Sequence, residues 1–109
     1  MIAAFAAMLL AQAPAPTPPT PRELRRGEEL GEQWGRCVNR TTIRFARSRE
    51  SADIIVDAVL GACASEEDAV RGYTLRHHGA AAADRAIAAG RRSIRETVVA
   101  RLLEIRSSR

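Results

Sequence analysis

Two cysteines and two adjacent histidines are the residues of this 109-residue chain with the clearest capacity for chemistry. Cys37 and Cys63 are far too widely separated to form the Cys-x-x-Cys motif of a redox-active pair. His77 and His78 are neighbours, so on a helix their side chains diverge by about 100° and cannot share one metal ion. We therefore expect both histidines to be solvent-exposed at a helix end, and we expect no metal or other cofactor.

The acidic run Glu66-Glu67-Asp68 is the other candidate for chemistry. Acidic side chains in the first turn of a helix interact favourably with its amino-terminal dipole, and this explains the run without a catalytic role. No nucleophile stands at a motif spacing from a base, and the chain has no Gly-rich phosphate-binding loop. The sequence therefore predicts no catalytic residues and no enzymatic activity.

The spacing of the cysteines points to a structural role. In an antiparallel helical hairpin, facing residues are equidistant from the centre of the turn. Cys37 and Cys63 are centred on Glu50, inside the polar sequence Ser48–Ser51. The same register brings other side chains face to face: Phe45 with Ile55, and Thr41 with Val59. We predict a Cys37–Cys63 disulfide, with two free buried thiols as the alternative; the bridge would close a ring of about 27 residues and contribute about 3.5 kcal/mol.

The composition favours helices, because alanine and arginine are abundant and β-branched residues are few. Thr20, Pro21 and Glu23 form a capping-box start signal for a first helix. Small or apolar side chains then recur every three or four residues: Leu24, Gly27, Gly31, Trp34, Val38, Thr41 and Phe45. Gly27, Gly31 and Gly35 predict that the first two turns are loosely formed or packed against another backbone.

The rest of the chain predicts further helices. Ser51 is a candidate cap for a second helix, and Ser65 for a kink or a new helix. A last helix is expected from about Ala80 to Ile105. Its inward-facing positions are predicted from their spacing: Ile87, Ile94, Val98, Leu102 and Ile105. The predicted fold class is all-α: a disulfide-linked antiparallel hairpin plus a long carboxyl-terminal helix, in a small three- to four-helix bundle of residues 22–109.

The amino-terminal sequence predicts export. Residues 1–13 contain an uncharged apolar run of about ten residues, which suits a signal peptide and is too short to span a bilayer. Cleavage after Ala11 and cleavage after Ala13 both remain open, and a buried amino-terminal helix is the alternative. Residues 14–21 hold all five prolines and predict an extended spacer. We expect a periplasmic or secreted protein.

The net charge of +4 invites a nucleic-acid interpretation, but the basic residues are all arginine and are interleaved with thirteen acids. We therefore expect no nucleic-acid partner. The last helix and its end carry the arginines of a candidate basic surface: Arg85, Arg91, Arg92, Arg95, Arg106 and Arg109. Such a helix can lie on an anionic membrane surface or bind a polyanion, and this is the alternative to the leading interpretation. The leading interpretation is a non-enzymatic helical interaction or structural protein whose partner is another protein or a second copy.

The sequence Trp34-Gly-Arg-Cys37, a second helix ending at Cys63 and a charged last helix together resemble uncharacterised small exported bacterial α-helical proteins. The resemblance covers about residues 34–106 and rests on a Trp-x-x-Cys and one distant cysteine. It implies export and a disulfide, and it implies no particular activity.

Overall fold

The computed structural model describes residues 15–108, which form four helices: α1 (Pro21–Phe45), α2 (Ala52–Ala62), α3 (Ala64–His78) and α4 (Ala80–Ser107). No strand occurs among these residues, so the all-α prediction is confirmed. α1 and α2 form the antiparallel hairpin, α3 continues along the first half of α1, and α4 packs against the other three helices. The predicted leader and Arg109 lie outside the described residues.

α1 begins where the capping signal predicts. The backbone N–H of Glu23 donates to the Thr20 hydroxyl and the Thr20 N–H donates to the Glu23 carboxylate, both at 3.2 Å. These two bonds satisfy donors that a helix start otherwise leaves unpaired. The helix is regular from Pro21, so its first turns are well formed despite the three glycines.

The second helix, α2, is capped by Ser51 and ends earlier than predicted. The Ser51 hydroxyl accepts the Ile54 N–H at 3.4 Å, which confirms this cap. The break between α2 and α3 falls at Cys63, whose backbone departs from helical geometry, and the prediction of a cap at Ser65 is wrong. Ser65 lies inside α3, where its hydroxyl donates to Glu66. The chain bends at Cys63 without a side-chain cap because the backbone bonds on either side of that residue continue.

The core forms where the hairpin meets α4. Trp34, Val38 and Val59 are buried, as predicted, and so are Ile87, Val98 and Leu102 on the inward side of α4. Phe45, Ile94 and Ile105 are only partly buried and pack against the edge of this core. The apolar core residues are these: Trp34, Cys37, Val38, Ala46, Ile55, Val56, Val59, Cys63, Ile87, Val98 and Leu102.

At the start of α1, the residues that face the interior differ from those predicted. Leu24 is 49% exposed, whereas Leu30, outside the predicted stripe, is buried. Gly27 lies against the ring of Tyr73 in α3: a Cβ at Gly27 would be 2.5 Å from that ring. Gly90 of α4 likewise lies against the ring of Trp34: a Cβ at Gly90 would be 2.7 Å from that ring. Close approach is therefore to an aromatic ring, not to another backbone.

Residues 15–20 are not helical and lie against the end of α3. The Thr17 N–H donates to the Arg76 carbonyl at 3.3 Å, and the Pro16 ring approaches Gly79. Gly79, with a φ of 89°, lets the chain reverse from α3 into α4. Within residues 15–108 no helix combines the length and the apolar character needed to cross a membrane.

Candidate functional site

The two cysteines are bonded to each other where α2 meets α3. Cys37 and Cys63 form a disulfide with their Cα atoms 5.9 Å apart, which confirms the predicted bridge. The alternative of two free thiols is wrong. The Thr41 hydroxyl lies 3.9 Å from Cys37 Sγ and 3.7 Å from Cys63 Sγ. Cys63 is fully buried and Cys37 nearly so, so solvent has little access to the bridge.

A carboxylate completes a cluster around the bridge. A Glu66 oxygen and the two sulfur atoms lie within 4.8 Å of one another. Metal ions such as zinc are bound by thiolates, and a disulfide sulfur carries no such charge. With the bridge formed, this cluster offers a metal ion a single charged ligand.

Three of the arginines predicted for the basic surface make contacts within the domain: Arg91, Arg95 and Arg106. Arg95 donates to Asp53 of α2 at 3.0 Å. Arg106 donates to the carbonyl oxygens of Ser48 and Glu50, at 3.0 and 2.9 Å, and so attaches the end of α4 to the hairpin turn. These carbonyls are unpaired acceptors of the turn, and the guanidinium satisfies two of them at once.

The predicted arginines differ in whether they are paired. Arg91 is bound to an acid of α3. Arg85 and Arg92 are exposed and form no ion pair with any residue from 15 to 108. Arg109 lies outside that range. Among the described members of the predicted surface, only Arg85 and Arg92 therefore keep a guanidinium without an internal acceptor.

Glu67 is the buried acid that binds Arg91. The residue is 5% exposed. Its carboxylate accepts hydrogen bonds from Arg91 Nε at 2.5 Å and from Arg91 Nη2 at 2.8 Å, and Arg71 Nη2 lies 3.5 Å away. The hydrogen bond from Arg91 lowers the pKa of Glu67 below its ordinary value, although burial acts in the opposite direction. Glu67 does lie in the first turn of α3, as predicted, but its contact with α4 gave no signal in the sequence.

His77 was predicted to be solvent-exposed, and that prediction is wrong. Its side chain is 3% exposed, whereas His78 is exposed as expected. His77 Nδ1 lies 2.7 Å from the Thr17 carbonyl oxygen, and Nε2 lies 3.2 Å from the Glu23 carboxylate. The ring is also 4.7 Å from the ring of Tyr73. It is buried because residues 15–20 and the start of α1 cover it, and neither contact is visible in local periodicity.

Glu23 therefore serves two elements at once. One carboxylate oxygen accepts the Thr20 N–H that caps α1, and the other faces His77 and, at 3.9 Å, Arg76. Hydrogen bonds from Thr20 hold the pKa of Glu23 below its ordinary value, and the charges of His77 and Arg76 lower it further. Glu23 is ionised at neutral pH.

A groove of about 360 Å³ opens between α1 and α3, beside Glu23 and His77. Leu30, Ala69 and Tyr73 form its apolar part, and Gly72 leaves space in the wall. Charged side chains stand at its rim: Glu23, Arg26 and Arg76.

The fold and these contacts define a disulfide-linked, all-α helical domain. No protein-family model, no curated protein and no solved structure matches the chain.

Proposed function

We propose that the chain is an exported, non-enzymatic helical protein that acts by binding another protein. One observation carries this proposal: the buried side chains that could take part in chemistry are occupied in holding the domain together. The sulfurs are bonded to each other, Glu67 is bound to Arg91, and both ring nitrogens of His77 face acceptors. A general base or nucleophile needs a free atom directed at a substrate.

Export is supported by the disulfide and by the predicted leader. Structural disulfides persist in oxidising compartments, and the bridge here is buried and joins two helices. Mass spectrometry of protein from the natural host should show a chain that begins after Ala11 or Ala13. An intact chain recovered from the cytoplasm with two alkylatable thiols would contradict export.

The groove between α1 and α3 is the surface that this proposal favours for a protein partner. Its apolar floor with a charged rim is the anatomy of a binding surface. Gly72 permits a sharp test, because a Cβ added there meets no atom within 4 Å, and Gly72→Gln adds a polar side chain to the groove wall. Gly61 of α2 is equally open and lies away from the groove, so Gly61→Gln is the matched control.

The experiment is crosslinking in the host, followed by purification and mass measurement of the adducts. We expect adducts with the natural chain and with Gly61→Gln, and their loss with Gly72→Gln. An adduct of twice the chain mass would identify the partner as a second copy. Adducts that persist unchanged in Gly72→Gln would place binding elsewhere, and the absence of any adduct would contradict the proposal.

The alternative is a peripheral membrane or polyanion binder, and Arg85 and Arg92 are the observation in its favour. Both are exposed on α4 without an internal ion pair among residues 15–108. Co-sedimentation with anionic vesicles tests it. Binding that is lost at high salt and in the Arg85→Gln/Arg92→Gln double variant would support the alternative over the leading proposal.

A further inference from the structure

His77 is enclosed between two parts of the chain that are distant in sequence. Thr17 approaches its Nδ1 from the extended segment 15–20, at 2.7 Å. Glu23 approaches its Nε2 from the first turn of α1, at 3.2 Å. The ring itself belongs to the last turn of α3 and has almost no contact with solvent.

Both neighbours of the ring are acceptors. A backbone carbonyl oxygen and an ionised carboxylate have no hydrogen to donate. A neutral imidazole carries one N–H and one lone pair, so it can satisfy only one of them and turns its lone pair toward the other. The imidazolium carries two N–H groups and satisfies both. The arrangement of acceptors around His77 therefore fits the charged ring.

Both positively and negatively charged groups lie around the ring. α1 presents Glu23 directly and Arg26 at the rim of the groove, and α3 presents Arg76 and the aromatic ring of Tyr73. Residues 15–20 and 80–83 contain no ionisable side chain. Glu23 is the only acid in contact with the ring among the described residues, and its lowered pKa keeps it ionised throughout the range in which an imidazole titrates.

The same contacts hold the segment 15–20 in place. Thr17 makes two hydrogen bonds to α3: its N–H donates to the Arg76 carbonyl and its carbonyl faces His77 Nδ1. Pro16, Pro18 and Pro19 restrict this segment before it docks, which reduces the entropy lost on docking. A segment held by so few bonds is sensitive to the loss of one.

We propose that His77 is a proton-dependent latch: the imidazolium binds residues 15–20 against the end of α3, and loss of its proton releases them. Docking takes up a proton, so the docked state is favoured at lower pH and is lost as the pH rises through the titration of the ring. Release would expose His77 and open the cavity that Ala15, Pro16 and Thr17 now line together with Leu75, Arg76 and Gly79. The latch does not rest on the proposed function, but it adjoins the partner groove, because Glu23, Arg76 and His77 also line that groove.

Thr17 supplies a local reporter, because Ala15, Thr17 and Thr20 are the only residues of the segment with a backbone N–H. Solvent exchange of the Thr17 amide, measured by NMR on the full chain as its host processes it, is divided at each pH by its intrinsic rate. One linked proton changes an equilibrium by at most tenfold per pH unit, so we expect protection to fall severalfold, within that bound, between about pH 5.5 and about pH 8. The His77 ring should show two protonated nitrogens at the lower pH.

Three variants separate the latch from a merely structural role. In Glu23→Gln, the amide oxygen still accepts the Thr20 N–H and its NH₂ can donate to Nε2, so a neutral ring suffices and the pH dependence should disappear. In His77→Gln, protection should no longer vary with pH. His78→Gln changes the exposed neighbour and should behave like the natural chain. Thr17 protection independent of pH in the natural chain would overturn the latch, and so would unchanged pH dependence in Glu23→Gln, even if His77→Gln fails to fold.

Discussion

The two halves of this domain are held together by different forces. In the hairpin half, from Trp34 to Cys63 with the facing end of α4, a disulfide and apolar side chains fill the interior. In the α3 half, where α3 meets residues 15–30 and the start of α4, the buried groups are largely polar: Glu67 with Arg91, and His77 with Thr17 and Glu23. The hairpin half should therefore respond to reductant, and the α3 half to pH.

Loss of the disulfide should have the largest effect on stability. The Cys37→Ala/Cys63→Ala double variant should lose about 3.5 kcal/mol of unfolding free energy, because the unfolded chain is no longer closed into a ring. Urea unfolding of the variant, and of the natural chain with and without reductant, measures this loss. It should be the same at acid and neutral pH. Equal midpoints with and without reductant would show that the bridge does not stabilise the hairpin half.

Truncation of Phe45 should rank second. A fully buried phenylalanine costs about 3–5 kcal/mol when replaced by alanine, but Phe45 is only partly buried at the edge of the core. We therefore expect Phe45→Ala to cost about 2 kcal/mol in urea unfolding. Arg47→Ala, at an exposed turn position, should change stability by less than about 0.5 kcal/mol. If the two variants unfold alike, Phe45 contributes nothing to the hairpin half.

A charge-dependent effect should appear in the α3 half. Arg91→Ala leaves the buried Glu67 carboxylate without its main donor and should cost about 2 kcal/mol at neutral pH. Because the folded pKa of Glu67 is lowered, the stabilisation is present above the ordinary glutamate range and is lost as the pH falls through the folded pKa. The difference between the natural chain and Arg91→Ala should therefore shrink in acid.

The control for this prediction is Arg92→Ala, since Arg92 is the adjacent exposed arginine. It should change stability by less than about 0.5 kcal/mol at any pH. A loss in Arg91→Ala that stays constant from acid to neutral pH would mean that side-chain packing, and not the charge of Glu67, connects α3 to α4.

The two halves also differ in how far the sequence predicts them. The hairpin rests on local caps and on a register about Glu50 that fixes Cys37 opposite Cys63, and all of these are confirmed. Facing apolar residues repeat along each helix, so periodicity carries information about their partners.

The contacts of the α3 half follow no such repeat. His77 meets Thr17 sixty residues away, and Glu67 meets Arg91 in another helix. Each contact is a single polar pair, and the helix-end position of a histidine or acid looks the same whether it is covered or exposed. The burial of Leu30 in place of the predicted Leu24 has a related cause. The side of α1 that faces inward depends on the position of α3, and that position depends on the break at Cys63.

Two glycines of α1 provide the smallest and most local comparison. Gly27 touches the Tyr73 ring, whereas a Cβ at Gly31 would meet nothing within 4 Å. Gly27→Ala should cost about 1 kcal/mol, since the ring of Tyr73, which also lies beside the His77 ring at a tilt, must move. Gly31→Ala should instead gain about 0.5–1 kcal/mol, because alanine restricts the unfolded chain and favours the helix.

Thermal unfolding of these two variants distinguishes packing from helix propensity. Opposite shifts in melting temperature would show that the contact between α1 and α3 is tight at Gly27 and open one turn later. If both variants are stabilised, Tyr73 yields without cost. The α3 half would then be a loosely packed region in which the polar pairs, and not close packing against α1, determine how α3 is held.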